Sequence, residues 1–203
     1  MQFSVINGSL TDQPSDVLIV NLFQGVKEPG GATGAVDRAL GGAISELIRD
    51  EEFEGSIGQT AVLAACGKIP AKKVLLVGLG KQDEFGIQAI MRAAASAGRK
   101  CRSLRARTVS SILHGAGIAG LPAYDCAKAT ILGTILGTYE YTRLKTENVK
   151  PNTIEQFNVV ELSADKLDNI ERGMRLAETL GDAIVFARDL GNEPSNVVTP
   201  SYL

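Results

Sequence analysis

The chain has 203 residues, of which 44% are hydrophobic and 22% are charged, and its formal net charge is −2 at pH 7. This composition is typical of a soluble globular protein with one sizeable core or two small ones, and it excludes a disordered or fibrous chain. The nearly balanced charge gives no general attraction to nucleic acid or to an anionic membrane, and no apolar run approaches the roughly 20 residues that a membrane helix needs.

Six apolar or alternating stretches predict β-strands. They are 2–7, 16–23, 60–66, 73–79, 108–113 and 155–162. The second and the fourth are apolar on both faces, which is typical of central strands covered on both sides. The start, "MQFSVINGSL", has neither a basic leader nor a long apolar core, so it reads as a first strand and not as a signal peptide.

Helical periodicity appears in four windows, at about 34–51, 86–105, 122–140 and 165–190. Helices that alternate with buried strands predict an α/β domain with a mixed, mostly parallel sheet and helices on both faces. The last window has the clearest apolar stripe. Its members are Leu167, Ile170, Met174, Ala177, Leu180, Ile184 and Ala187. Gly191 is a natural helix stop, and the two prolines after it predict an extended linker.

The three cysteines, Cys66, Cys101 and Cys126, are odd in number, widely spaced and free of any CxxC pairing. This pattern suits reduced, mostly buried thiols in a cytoplasmic protein. His114 is the only histidine, so an imidazole-rich metal site is excluded.

Two glycine motifs are weak signals of phosphate binding. Gly115, Gly117 and Gly120 have GxGxxG spacing, but they follow the fifth strand, and the acid about 20 residues later could only be Glu140. "GLGK" at 78–81 lacks the full phosphate-loop pattern. Both motifs are interpreted as turns.

A basic run, "RKCRSLRAR", ends the second helical window. Its five basic residues are Arg99, Lys100, Arg102, Arg105 and Arg107. With Ile87, Met91, Ala94, Cys101 and Leu104 on the inner face of the helix, Arg92, Arg99 and Lys100 fall on the outer face. Such a face could bind nucleic-acid phosphates, but no aromatic residue is interleaved to stack on bases, so a solvated surface is favoured.

The segment 20–42 resembles the ligand loop of macro domains, in which a strand ending in Asn precedes a helix that starts at a glycine-rich loop. Asn21 ends the strand here, followed by Leu22, Phe23 and Gln24 where macro domains usually have Asn-Ala-Ala-Asn. Ser9 stands where macro domains carry the acid that holds adenine. A loop of this kind presents backbone N–H groups to a phosphorylated ligand.

The remaining acids do not form a reactive group. The four acids of "RDEEFEG" at 49–55 alternate in direction at a helix end and read as solvated surface. No catalytic, cofactor-binding or metal-ligating residue is predicted in this chain.

The last residues, "ARDLGNEPSNVVTPSYL", closely resemble the segment that joins the two domains of the leucyl aminopeptidase family, the M17 metallo-exopeptidases. The matching residues are Ala187, Arg188, Asp189, Leu190, Asn192, Pro194, Asn196, Thr199, Pro200 and Leu203. Weaker similarity to the family's amino-terminal domain runs through 34–60, 73–85 and 131–146.

The resemblance implies a three-layer, macro-like amino-terminal domain at 1–190, then an interdomain linker and the first turn of a catalytic domain at 191–203. It implies that the intact protein is a cytoplasmic homohexamer that releases leucine-like N-terminal residues from peptides. Two divalent ions, zinc or manganese, would be held by the catalytic domain, so the 203 residues alone are expected to be inactive. A macro-type module that binds ADP-ribose or a related nucleotide, and a DNA-contacting domain, remain as alternatives.

Overall fold

A computed structural model describes residues 1–115, 120–147 and 153–199. Within these ranges, six strands form one sheet in the order β1-β6-β5-β2-β4-β3. The strands are β1 (Gln2–Asn7), β2 (Val17–Leu22), β3 (Thr60–Ala64), β4 (Lys73–Gly78), β5 (Thr108–Ile112) and β6 (Gln156–Glu161). Neighbouring strands are parallel except at β3, which pairs antiparallel with β4.

In the described part of the chain, five α-helices cover the two faces of the sheet. They are α1 (Gly31–Leu40), α2 (Ala43–Arg49), α3 (Ile87–Ser103), α4 (Ala123–Thr138) and α5 (Leu167–Asn192). Side chains alternate between faces along a strand, so in β2 Val17 and Ile19 join the core under α3, α4 and α5, whereas Leu18 and Val20 join the core under α1 and α2. The predicted three-layer α/β fold with a mixed, mostly parallel sheet is confirmed.

The first predicted helix, 34–51, is wrong as a single element, because the chain breaks it at two glycines. Gly41 and Gly42 have φ values of 77° and 89°, a left-handed conformation that ends α1 and allows α2 to start in a new direction. Helix α1 also begins at Gly31, before the predicted start.

The end of α5 also differs from the prediction. Gly191 lies inside the helix, which ends at Asn192. The Asn192 side-chain amide donates to the carbonyl of Arg188 at 2.8 Å. The segment that follows is a turn and not an extended linker, because the N–H groups of Val197 and Val198 both donate to the Pro194 carbonyl. Thr199 is described, but the predicted helix start at Pro200 lies outside the described residues.

The two predicted helix faces have different outcomes. In α3, the predicted Ala94 and Cys101 are buried, and Ile87, Met91 and Leu104 are partly buried against the same core, so the predicted inner face is confirmed. The deeply buried Ile90, Ala93 and Ala97 also belong to that face. In α5, the first half of the stripe is buried, but Leu180 and Ala187 in the second half are exposed. No helix among the described residues is both long and apolar enough to cross a membrane.

Candidate functional site

A cleft of about 490 Å³ opens at the carboxyl ends of the parallel strands. Four strand ends contribute to it: Gly8 follows β1, Asn21 lies near the end of β2, Ile112 ends β5 and Glu161 ends β6. Because parallel strands end at one edge of the sheet, loops that are distant in sequence meet here. This edge is the usual place for a ligand in a sheet of this type.

Asn21, which lines the cleft, forms a hydrogen bond with His114, which is buried behind the lining. The Asn21 side-chain nitrogen lies 2.9 Å from Nδ1 of His114. Burial lowers the pKa of His114 to about 4, so the ring is neutral at pH 7. Since the amide nitrogen donates, Nδ1 accepts and the ring proton is on Nε2. A neutral, buried ring held in this way orients Asn21; it is not placed to shuttle protons at neutral pH.

One wall of the cleft is the N-terminal turn of α1. Gly30, Gly31, Ala32 and Thr33 line the cleft, and the Thr33 hydroxyl donates to the Asn21 carbonyl at 2.7 Å. The first N–H groups of a helix have no partner inside the helix, and they carry a partial positive charge. This wall can therefore receive an anionic group.

The rest of the lining combines one cation, one carboxylate and apolar side chains. Lys166 Nζ lies 4.0 Å from Glu161, and both residues line the cleft. Phe23 adds an aromatic surface and is held edge-on against Phe85, with ring centroids 4.9 Å apart. Leu10 adds a further apolar contact. Such a cleft suits a ligand with an apolar body and a negative end.

Ser9, the residue in the position of the macro-domain acid, is engaged locally. Its hydroxyl lies 2.7 Å from the hydroxyl of Thr11, at the start of a short 3-10 turn. Its neighbours Gly8 and Leu10 line the cleft. The structure thus offers no carboxylate at this position.

Asp37, in the middle of α1, has a structural role that the sequence analysis missed. Its buried carboxylate accepts from the N–H groups of Ile44 and Ser45 at 2.7 and 3.1 Å, and from the Ser45 hydroxyl at 2.5 Å. These are the open N–H groups at the start of α2, so Asp37 caps the next helix across the Gly41–Gly42 turn. The sequence offers a signal for this role, because the residue before Ala43 is Gly42, which has no side chain to cap α2, so the cap must come from elsewhere.

The glycines of the two weak motifs are required for packing and turns. A Cβ at Gly115 would lie 2.9 Å from Ile90, and a Cβ at Gly78 would lie 2.0 Å from the Ser56 carbonyl oxygen. Gly80 and Gly120 have positive φ, as turn glycines do. The middle glycine of the GxGxxG motif, Gly117, lies outside the described residues.

The cysteines are free, and two of the three are buried. Burial raises the pKa of Cys101 to about 12, and burial with the nearby charge of Asp125 raises the pKa of Cys126 to about 11. Cys66 differs, because it is exposed in the turn between β3 and β4 with a φ of 50°.

The basic run is partly neutralised by acids. Arg102 forms a salt bridge of 3.1 Å with Glu140, and Arg107 one of 2.7 Å with Glu155. Arg92 and Arg99 are exposed on the outer face of α3, as predicted. The positive face is therefore smaller than the five basic residues indicate.

The acids at 49–55 surround Phe53, which is buried, whereas Glu51 and Glu52 are exposed. Within the described ranges, no group of three or more His, Cys, Asp or Glu side chains is placed to hold a metal ion.

Comparisons with known proteins place this fold in a family. A model of the cytosol aminopeptidase family, N-terminal domain, matches residues 19–148. A protein of Alkaliphilus metalliredigens named probable cytosol aminopeptidase is 33% identical over all of this chain and 41% of its own length. The chain thus spans about 40% of the length of the curated relatives it matches.

Solved structures show the same architecture. A tomato leucine aminopeptidase mutant superposes with a TM-score of 0.82 at 24% identity, over 100% of this chain and 40% of that chain. A Trypanosoma brucei macrodomain in complex with ADP-ribose superposes with a TM-score of 0.65 at 17% identity, over 84% of this chain and 68% of that chain. The fold is macro-like.

Proposed function

The chain belongs to the cytosol aminopeptidase family, as its N-terminal domain, and from this we propose that it is the non-catalytic domain of a leucyl-type aminopeptidase. The intact enzyme removes N-terminal, leucine-like residues from peptides by hydrolysis assisted by two divalent ions. It acts in the cytoplasm as a homohexamer. The observation that carries the proposal is the family match over residues 19–148, with the same fold in a tomato leucine aminopeptidase.

The chemistry of the cleft supports a non-catalytic role. The histidine that contacts Asn21, His114, is buried and neutral at pH 7 and does not line the cleft. Its carboxylate, Glu161, accepts from the Ser163 N–H at 3.0 Å and lies near Lys166. Neither group is arranged to activate a water molecule.

The described residues also do not fit the metal ions. Divalent ions in hydrolytic sites need several carboxylate or imidazole ligands that converge on one point. No such group exists within residues 1–115, 120–147 and 153–199. We therefore place the ions in the region of the family's polypeptide that this chain does not match.

Peptidase assays test this proposal. Residues 1–203 with added manganese or zinc are expected to leave leucine p-nitroanilide uncleaved. The same residues joined to the remaining region of the Alkaliphilus metalliredigens relative are expected to cleave it, and a chelator is expected to abolish the activity. Cleavage by residues 1–203 alone that a chelator removes would overturn the proposal.

A second candidate function is nucleotide binding in the cleft. The open N-terminal turn of α1 and the aromatic wall at Phe23 favour it, and a macrodomain of the same fold is solved with ADP-ribose. Titration calorimetry with ADP-ribose distinguishes the two functions. Micromolar binding that Asn21→Ala removes would favour the nucleotide; no heat at high ligand concentration would leave the aminopeptidase domain as the sole function.

A further inference from the structure

The cleft at the carboxyl ends of the strands has a lining whose charges cancel. Among the described residues that line it, Lys166 is the one cation and Glu161 is the one anion. The other lining side chains are uncharged, and most of them are apolar. A ligand with several phosphates would bring negative charges that this lining does not pair. The cleft therefore favours a ligand that has an apolar part and balanced charges of its own.

The first turn of α1 gives the cleft three open N–H groups. Among the described residues, none accepts a hydrogen bond from the N–H of Gly31, Ala32 or Thr33. Gly30, which precedes the helix, has no side chain that could cap these groups. A Cβ at Gly30 or Gly31 would meet no atom within 4 Å. The turn therefore faces open space, and its N–H groups can donate to a carboxylate.

An open hydrogen-bond acceptor lies beside these donors. The side-chain nitrogen of Asn21 is used in the bond to His114, so the side-chain oxygen, Oδ1, is the atom left for a ligand. No described residue donates to Oδ1, and it is not among the fully buried atoms without a partner, so it is open to the cleft that Asn21 lines. The Thr33 hydroxyl donates to the main-chain carbonyl of Asn21 at 2.7 Å, which holds the first turn of α1 against Asn21.

Adjacent donors and an acceptor match the head of an α-amino acid. Its carboxylate and its ammonium are attached to one carbon, so they need an anion site and an acceptor side by side. The α1 turn can bind the carboxylate, and Oδ1 of Asn21 can bind the ammonium. Strand β5 lies beside β2 in the sheet, so an apolar side chain would extend over Leu10, Ile112 and Val160, which line the same cleft.

We infer that this cleft is a binding site for a free α-amino acid with an apolar side chain. The cleft volume of about 490 Å³ corresponds to about 16 water molecules at about 30 Å³ each. Leucine, with about nine non-hydrogen atoms, therefore fits with room for water, and a ligand of this size should bind with a Kd of about 1 mM. The choice of leucine rests on the proposed function, since that activity releases leucine-like residues, and the site would then bind the product of the enzyme.

Titration of four small molecules into residues 1–203, followed by the NMR shifts of the protein, tests this inference. L-Leucine carries both charges and the apolar side chain. Isocaproate lacks the ammonium, isoamylamine lacks the carboxylate, and glycine lacks the apolar side chain. We expect a Kd of about 1 mM for leucine and at least about tenfold weaker binding for each of the other three. No shift at about 20 mM leucine, or equal binding of any analogue, would overturn the inference.

Two variants at Gly30 test where leucine binds. Gly30 has a φ of −106° and a ψ of −179°, which any residue adopts. Gly30→Asp places a carboxylate at the position of the ligand's own carboxylate, so leucine binding should weaken at least about tenfold. The same side chain caps α1, so Tm should stay the same or rise.

Gly30→Ala is the matched control, because it adds a carbon without the charge. It should change the Kd of leucine by less than about twofold. An unchanged leucine affinity in Gly30→Asp would overturn the inference, because leucine would then bind elsewhere. The analogue series in the unaltered chain does not depend on how either variant folds.

The competing proposals predict different results. Micromolar binding of ADP-ribose without any binding of leucine would overturn this inference in favour of the nucleotide. If residues 1–203 bind leucine as expected but the joined polypeptide cleaves no leucine p-nitroanilide, the aminopeptidase proposal alone is contradicted. If the joined polypeptide cleaves that substrate and residues 1–203 do not bind leucine, the amino-acid site alone is contradicted.

Discussion

Removal of the Asp37 carboxylate is expected to unfold the start of α2 and to destabilise the domain. The side chain accepts three hydrogen bonds, from the Ile44 and Ser45 N–H groups and from the Ser45 hydroxyl. Loss of a helix cap costs about 0.5–2 kcal/mol, and a hydrogen bond to a charged group contributes about 1.5–3 kcal/mol. Since these contributions overlap, we expect Asp37→Ala to lower the free energy of unfolding by about 2–3 kcal/mol.

Urea denaturation followed by circular dichroism measures this loss. For a domain of this size, the change corresponds to a fall in Tm of about 4–12 °C. Asp37→Asn keeps one acceptor oxygen and should lose about 1 kcal/mol. Asp83→Ala, on an exposed loop, is the matched control and should change stability by less than about 0.5 kcal/mol. A loss for Asp37→Ala no larger than that of the control would refute the capping role.

Three further predictions concern the core and the surface. Because the pKa of His114 is about 4 in the folded protein and about 6.5 when unfolded, the unfolded chain binds the extra proton as the pH falls through this window. The free energy of unfolding should therefore decrease by about 3 kcal/mol as the pH falls from 6.5 to 4. His114→Gln should weaken this dependence of the unfolding free energy on pH, as measured by denaturation at several pH values. An unchanged pH dependence in the variant would contradict the lowered pKa of His114. Gly173→Ala would place a Cβ 2.2 Å from the Tyr124 carbonyl oxygen and should lower the free energy of unfolding by about 1–3 kcal/mol. Gly191→Ala is the control and should be neutral or stabilising, because no atom lies within 4 Å of its Cβ. Similar melting temperatures for the two variants would contradict the close contact between α5 and α4. Iodoacetamide should label Cys66 alone in the native protein, and mass spectrometry would detect the buried cysteines only after unfolding; labelling of all three would contradict their burial.

The strands and the layer order follow from the sequence because they depend on local pattern. The run 16–23 is apolar on both faces, and β2 (Val17–Leu22) is indeed buried on both sides. The break at Gly41 and Gly42 could not be read from periodicity, because the apolar spacing continues across it. Only the left-handed φ values and the Asp37 cap, which depend on where α2 packs, decide between one helix and two.

The cleft was only partly predictable. Asn21 and the glycine-rich start of α1 were identified from the resemblance to macro domains, and both line the cleft. The contact of Asn21 with His114 could not be predicted, because it depends on β5 lying beside β2 in the sheet. The apolar stripe of α5 was also only partly predictable. Its periodicity predicts an apolar face, but it does not show that Leu180 and Ala187 on that face are exposed.

The central claim is that this chain is a non-catalytic N-terminal domain of an aminopeptidase. The most direct measurement is hydrolysis of leucine p-nitroanilide in the presence of manganese, by residues 1–203 and by the same residues joined to the remaining region of the Alkaliphilus metalliredigens relative. The account predicts no chelator-sensitive hydrolysis by the first and chelator-sensitive hydrolysis by the second. Chelator-sensitive hydrolysis by residues 1–203 alone would contradict it.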